Sequence, residues 1–220
     1  MDDALKAMAL RHRPILYKDK REPFPVRFIG YTVFTEKRRS ESFPKWVVDP
    51  AAAGAQFIIE YAVYYDYDIQ HLYDLEHIWA AVDGDGNLTD CWSSFHGMRL
   101  RAAGVPVFET RDSRPVLYAQ PGKHAMLPDP ALFGLYPDLQ AACGEKAGGG
   151  LLLPGFLSGT VQTDGELDEK ICRRIKEKYT FIPSMEFVRE ELTEDQFIPW
   201  PELLRRIPEL LKAQIEEIRG

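Results

Sequence analysis

The pentapeptide Asp83-Gly84-Asp85-Gly86-Asn87 constrains this chain more than any other segment. It joins two strand-like stretches, Leu75 to Val82 and Leu88 to His96, and it carries the glycines that a tight reversal needs for positive φ. An antiparallel hairpin follows, and loop geometry fixes which side chains share its faces. If Gly84-Asp85-Gly86 is a three-residue loop with Gly86 left-handed, Asp83 pairs with Asn87, which sets Asp74 opposite His96 and Glu76 opposite Ser94. A two-residue Asp85-Gly86 turn shifts the register by one and swings His96 to the other side. The three-residue form is the expected one.

Other segments extend the β reading. Residues 28–34 and 57–65 are rich in β-branched and aromatic residues, and residues 114–120 form another strand with Pro115 near its start, where a missing donor is tolerated. A short helix is expected over 4–12, ended by Pro14, and residues 127–159 read as a long irregular excursion rich in Pro and Gly. Helical composition returns over 168–179. Residues 201–218 then place Leu203, Leu204, Ile207, Leu210, Leu211 and Ile215 on one stripe, with Pro208 expected to kink or split the helix. Strands first and helices last predict a mainly β, overall α+β fold: an antiparallel β-sandwich over 11–160 with a C-terminal helical layer over 161–220, in a single domain spanning 1–220.

Composition narrows the functional classes. A chain of 220 residues buries roughly 70% of its extended surface. A net charge of -7 supplies no basic face for general nucleic-acid binding, so Lys37-Arg38-Arg39 reads as a solvated loop. Cys91, Cys143 and Cys172 are too few and too scattered for a disulfide framework or a zinc knuckle, and they suit a reducing compartment. The acidic start Met1-Asp2-Asp3 is unlike a secretory leader, and no run of eighteen apolar residues occurs. A cytoplasmic protein without a transmembrane segment is expected.

Ionisable residues concentrate in one run, Tyr64-Tyr65-Asp66-Tyr67-Asp68-Ile69-Gln70-His71-Leu72-Tyr73-Asp74-Leu75-Glu76-His77, and four of the five histidines lie between His71 and His124. In a strand, Asp74 and Glu76 share a face with Cα atoms roughly 6–7 Å apart. Two adjacent carboxylates need a counter-charge, because each raises the other's pKa. With His96 across the hairpin, and with His71 and His124 just outside strand ends, the set predicts a divalent-cation site, to which Asp66 or Asp68 adds an oxygen. Magnesium, calcium or manganese suits it if oxygens dominate, and zinc or iron if two or more histidines bind. His77 has the wrong parity for the Asp74 face and reads as structural. Taken singly, each of these residues is more often satisfied by backbone amides or water than by a metal.

Residues 70–76, the aromatic strand before them, the later His96-Gly97 pair and the stretch from Arg114-Pro115-Val116-Leu117-Tyr118 to Lys123-His124-Ala125 resemble the necrosis- and ethylene-inducing-like proteins and the related vacuolar protein sorting-like family. Arg13-Pro14-Ile15-Leu16-Tyr17 followed by Glu22-Pro23 is similar to the opening of the latter, and the resemblance covers about residues 11–126. It implies a central β-sandwich. In the necrosis-inducing branch a Gly-His-Arg-His-Asp-Trp-Glu heptapeptide holds a divalent cation in a surface cavity. His71, Asp74 and Glu76 match that motif, and His96 and His124 match later cavity histidines. Asp66 or Asp68 falls where an upstream aspartate ligand would. Gln70, Leu72, Tyr73 and Leu75 depart from it, and those toxins are secreted and usually disulfide-bonded, so the resemblance implies an intracellular relative with another ligand.

Three other motifs fail on spacing. Residues 83–94 put Leu88 where a helix-loop-helix calcium loop needs glycine and Ser94 where it needs glutamate. Gly144-Glu145-Lys146 lacks phosphate-loop spacing, and Gly155-Phe156-Leu157-Ser158-Gly159 misplaces the serine of a nucleophile elbow. The expected function is therefore a cation-lined surface cavity that presents a polar ligand, such as a sugar or phosphate headgroup, with Tyr64, Tyr67 and Tyr73 as an aromatic rim. The competing expectations are a metal-dependent hydrolase, with His96 or His124 moving the proton, and a structural or interaction module without metal.

Overall fold

The computed structural model describes residues 2–151, 159 and 161–220. Thirteen strands and four α-helices occur among them: β1 (Ile15–Asp19), β2 (Phe28–Phe34), β3 (Arg38–Arg39), β4 (Val47–Val48), β5 (Phe57–Tyr67), β6 (Leu72–Val82), β7 (Leu88–Phe95), β8 (Met98–Arg101), β9 (Thr110–Arg111), β10 (Arg114–Ala119), β11 (Met126–Leu127), β12 (Phe187–Arg189) and β13 (Phe197–Pro199), with α1 (Asp2–Arg11), α2 (Leu139–Cys143), α3 (Gly165–Lys178) and α4 (Trp200–Arg219). The fold is α+β, mostly β with a C-terminal helix. A six-stranded sheet runs β13-β2-β5-β6-β7-β8. A five-stranded sheet runs β11-β10-β1-β12, with β9 attached to β10. The pair β3-β4 stands apart.

The sheets are mixed, which corrects the purely antiparallel expectation: β1 lies parallel to β10, and β13 lies parallel to β2. The cause is the return of the chain after α3. Residues 187–199, placed by sequence in the helical layer, supply an outer strand to each sheet. Phe197 is fully buried edge-on to Tyr61, which anchors β13. One hydrophobic cluster takes in Leu16 and Leu117 of the five-stranded sheet, Val63, Tyr65 and Ile78 of the six-stranded sheet, and the buried stripes of α3 and α4.

Helix α3 starts where the Asp164 carboxylate accepts the Leu167 amide at 2.8 Å, and it buries Leu167, Ile171 and Ile175. Helix α4 buries Trp200, Leu203, Ile207, Leu211 and Ile215 and passes through Pro208 as one element, so the proline does not split it. Its apolar face crosses β2 at Gly30, where a Cβ would stand 2.9 Å from Leu203 Cδ2. Within the 127–159 excursion, β11, a 3-10 turn over Pro130–Leu135 and α2 break up the expected irregularity. The serine segment 155–159 lies outside the described residues apart from Gly159. All three cysteines are free. Among the described residues no helix is long and apolar enough to cross a membrane.

The hairpin forms through the three-residue loop: the Asp83 amide donates to the Asn87 carbonyl at 3.0 Å, and Gly86 has φ +83°. The Asp83 carboxylate accepts the Asp85 and Asn87 amides at 2.9 and 2.8 Å. Register beyond the loop departs from expectation. Val82 pairs with Leu88 but Ala81 pairs with Asp90, so Thr89 is an extra residue, and by the last pair Ile78 faces Ser93. The expected Asp74–His96 and Glu76–Ser94 pairs are therefore displaced by one position.

Candidate functional site

The bulge brings Ser94 opposite His77, and the β6–β7 ladder stops one residue earlier, at Ile78–Ser93. There the His77 amide donates to the Ser94 hydroxyl at 2.6 Å, and that hydroxyl donates in turn to Glu76 Oε2. Side chains take over from backbone pairing, and the strands part. A cavity of about 490 Å³ opens at this point. Its walls include Asp68, His71, Tyr73, Asp74, Glu76 and His96, with Lys123 beside them and Ser42 and Phe43 contributed by the loop between β3 and β4.

Asp74 lies opposite Tyr65 and Glu76 opposite Val63 on β5, so the two carboxyl groups do share a face. Burial, then the charge of Asp74, raises the Glu76 pKa well above the ordinary carboxyl range. Asp74 Oδ2 sits 3.0 Å from His124 Nδ1. His124 lies behind this carboxylate and not on the cavity wall: it is fully buried, stacked on Tyr65 at 3.8 Å between ring centroids, with Nε2 3.7 Å from Glu22 Oε1. Burial disfavours its charged form, but hydrogen bonding and attraction from Asp74 and Glu22 prevail and raise its pKa to about 10. His124 is thus an imidazolium between two carboxylates. The ring is buried and away from the cavity wall, where it stands as counter-charge to Asp74.

Asp68 is also occupied. Its Oδ1 accepts the Gln70 and His71 amides at 2.6 and 2.7 Å, and its Oδ2 meets Lys123 Nζ and, at 3.2 Å, His71 Nε2. His71 Nδ1 faces the Tyr73 carbonyl at 2.9 Å, which fixes the ring's orientation. His96 stands exposed at the rim, its Nε2 2.9 Å from Gln120 Oε1. Three residues around the site, Tyr73 (φ 49°), His96 (φ 49°) and His124 (φ 54°), occupy the left-handed region that side-chain-bearing residues avoid. Such backbone persists only where its surroundings over-determine it, and it clusters at functional sites.

The remaining predicted residues lie elsewhere. Asp66 pairs with Arg27 at 3.7 Å, and Tyr64 is buried with its hydroxyl facing Gln214 of α4, both off the cavity. Tyr67 packs on Tyr179 and Phe24, and burial raises its pKa to about 12. Of the three tyrosines expected at the rim, only Tyr73 lines the cavity. The reason is strand alternation: Asp66 and Tyr64 follow the β5 face under α4, and Tyr67 turns into the core.

His77, read as structural, does line the cavity. Parity puts it on the face away from Glu76, yet the ladder ends just beyond it, so side chains from both faces reach one space. Burial lowers its pKa to about 3, leaving a neutral ring. Lys123 carried a signal that sequence reasoning passed over, since it adjoins His124 and is a cation beside an acidic cluster. Lys37-Arg38-Arg39 proves to be exposed, with Lys37 3.1 Å from Asp49.

Among the described residues, no three His, Cys, Asp or Glu side chains stand together as a group ready to hold a metal ion. Comparison with protein-family models, with curated proteins and with solved structures gave no match.

Proposed function

We propose that this protein is a cytoplasmic β-sandwich receptor that takes a divalent cation, magnesium or calcium before zinc or manganese, into the Asp74–Glu76 cavity and presents it to a polar ligand rather than to nucleic acid. The reading rests on one observation: Asp68, His71, Asp74 and Glu76 from the β5–β6 turn and the start of β6, and His96 after β7, line a single cavity. The donor set fits a hard cation at Asp74 and Glu76, two adjacent carboxyl groups on the cavity wall. Lys123 serves Asp68 and His124 serves Asp74 from behind. His71 and His96 would flank such an ion. A bound cation would neutralise the carboxylate pair and offer vacant coordination positions to ligand oxygens.

Equilibrium dialysis against magnesium, calcium, manganese and zinc tests this, with Asp74→Asn and Glu76→Gln as variants. Each substitution is expected to weaken binding by about tenfold or more, equivalent to about 1.4 kcal/mol. Unchanged affinity in both variants would overturn the reading. A second reading, a hydrolase using the same cavity, is favoured by the raised pKa of Glu76 beside Asp74, two carboxyl groups held in different environments on one wall. It predicts turnover of simple esters that Glu76→Gln abolishes while the fold is retained.

A further inference from the structure

His77 is 3% exposed, forms part of the cavity wall, and its Nε2 has no hydrogen-bond partner. The ring is clamped. It lies nearly parallel to Trp79 at 5.5 Å and 14°, takes Phe43 edge-on at 5.2 Å, and meets the Ser42 backbone with its other nitrogen. With the ring proton assigned to the nitrogen near the Ser42 backbone, Nε2 presents a bare lone pair. Leaving such a buried acceptor unsatisfied is destabilising. Phenylalanine would fill the same aromatic slot but give up the Ser42 contact, which uses one ring nitrogen and leaves Nε2 without a role in the fold.

We propose that His77 is a ligand-contacting residue, with Nε2 accepting a hydrogen bond from an uncharged hydroxyl of the molecule that enters the cavity. The inference rests on the reading of this cavity as a polar-ligand site, and it chooses between the ligand classes. A phosphodiester oxygen has no hydrogen to give to the lone pair of His77, whereas a neutral polyol does. Loop residues Ser42 and Phe43, which hold the ring from the β3–β4 side, make His77 the inner limit of the hydroxyl-binding end.

The test is long-range proton–nitrogen correlation on protein labelled in the histidine rings, titrated with neutral monosaccharides and linear polyols and, separately, with inorganic phosphate. Each titration runs to roughly 0.1 M, high enough for millimolar affinities. A hydroxyl-bearing probe is expected to move His77 Nε2 from its bare-acceptor position, and His77→Phe, checked to be folded by circular dichroism, to weaken that probe's binding about tenfold. Probe binding that leaves Nε2 unmoved, equal affinity in His77→Phe, binding of phosphate in preference to polyols, or no response from any probe would each overturn the proposal. The cation affinity of His77→Phe, measured in parallel, keeps the two readings apart: it is expected to equal that of the wild type, and its loss in the wild type itself would indict the cation reading alone.

Discussion

Two buried histidines carry opposite electrostatic burdens, and together they set how this protein responds to pH. His77 takes up a proton near pH 6.5 when unfolded but only near pH 3 when folded, so acid favours the unfolded chain. Its contribution to stability is complete above about 6.5 and falls away as pH drops towards 3. His124 keeps its proton to about pH 10 when folded, so its contribution is complete below 6.5 and is lost as pH rises through 10. Glu76, raised by burial, acts in the same direction as His124. Denaturant unfolding between pH 4 and 10 is therefore expected to show a dome near neutrality. His77→Phe flattens the acid limb. His124→Gln flattens the alkaline limb and lowers the whole curve by about 3–5 kcal/mol, because it leaves Asp74 and Glu22 buried without their cation. An acid limb unchanged in His77→Phe contradicts this account.

At the level of elements, what sequence made legible is what local chemistry decides. The hairpin loop was readable from Gly86, and the Asp74–Glu76 face from alternation, because both depend on neighbours a few residues away. The extra residue at Thr89 was not readable: nothing in Leu88-Thr89-Asp90 marks a bulge, and its position is chosen by how β7 packs against β6 and β8. One residue of slip changed the partners of Ser94 and His96. The docking of α4 on β2 was equally invisible, since Gly30 reads as an ordinary strand glycine until Leu203 and Trp200 are seen above it. Gly30→Val is expected to cost about 1–3 kcal/mol through overpacking against that helix, measured as a lower midpoint at unchanged m-value. Leu203→Ala, which empties the other side of the same contact, is expected to cost about 2–5 kcal/mol.

For the whole molecule, the division into strands first and helices last is where sequence reasoning stops, because pairings between distant segments leave no local mark. Lys18 meets Glu190 across β1 and β12, the Val26 amide donates to Glu190 Oε1 at 3.3 Å, and the Gln196 side chain donates to the Val26 carbonyl at 2.7 Å. A chain ended at residue 186 would expose an edge in each sheet and the core face under α4. It is expected to lack a cooperative unfolding transition by circular dichroism, and a fully cooperative 1–186 fragment would show instead that the strands form a self-sufficient unit.

The same threading bears on how the protein comes off the ribosome. Strand β1 is made well before its partners β10 and β12, which follow it by roughly a hundred and a hundred and seventy positions. While those are still being synthesised, Ile15 and Leu16 have no ladder to join, at an elongation rate of about 5–20 residues per second. Closure of loops this long is slow. Nascent chains should thus pass several seconds with an open, sticky edge, and the yield of active protein should depend more on chaperone supply and growth temperature than its equilibrium stability would suggest.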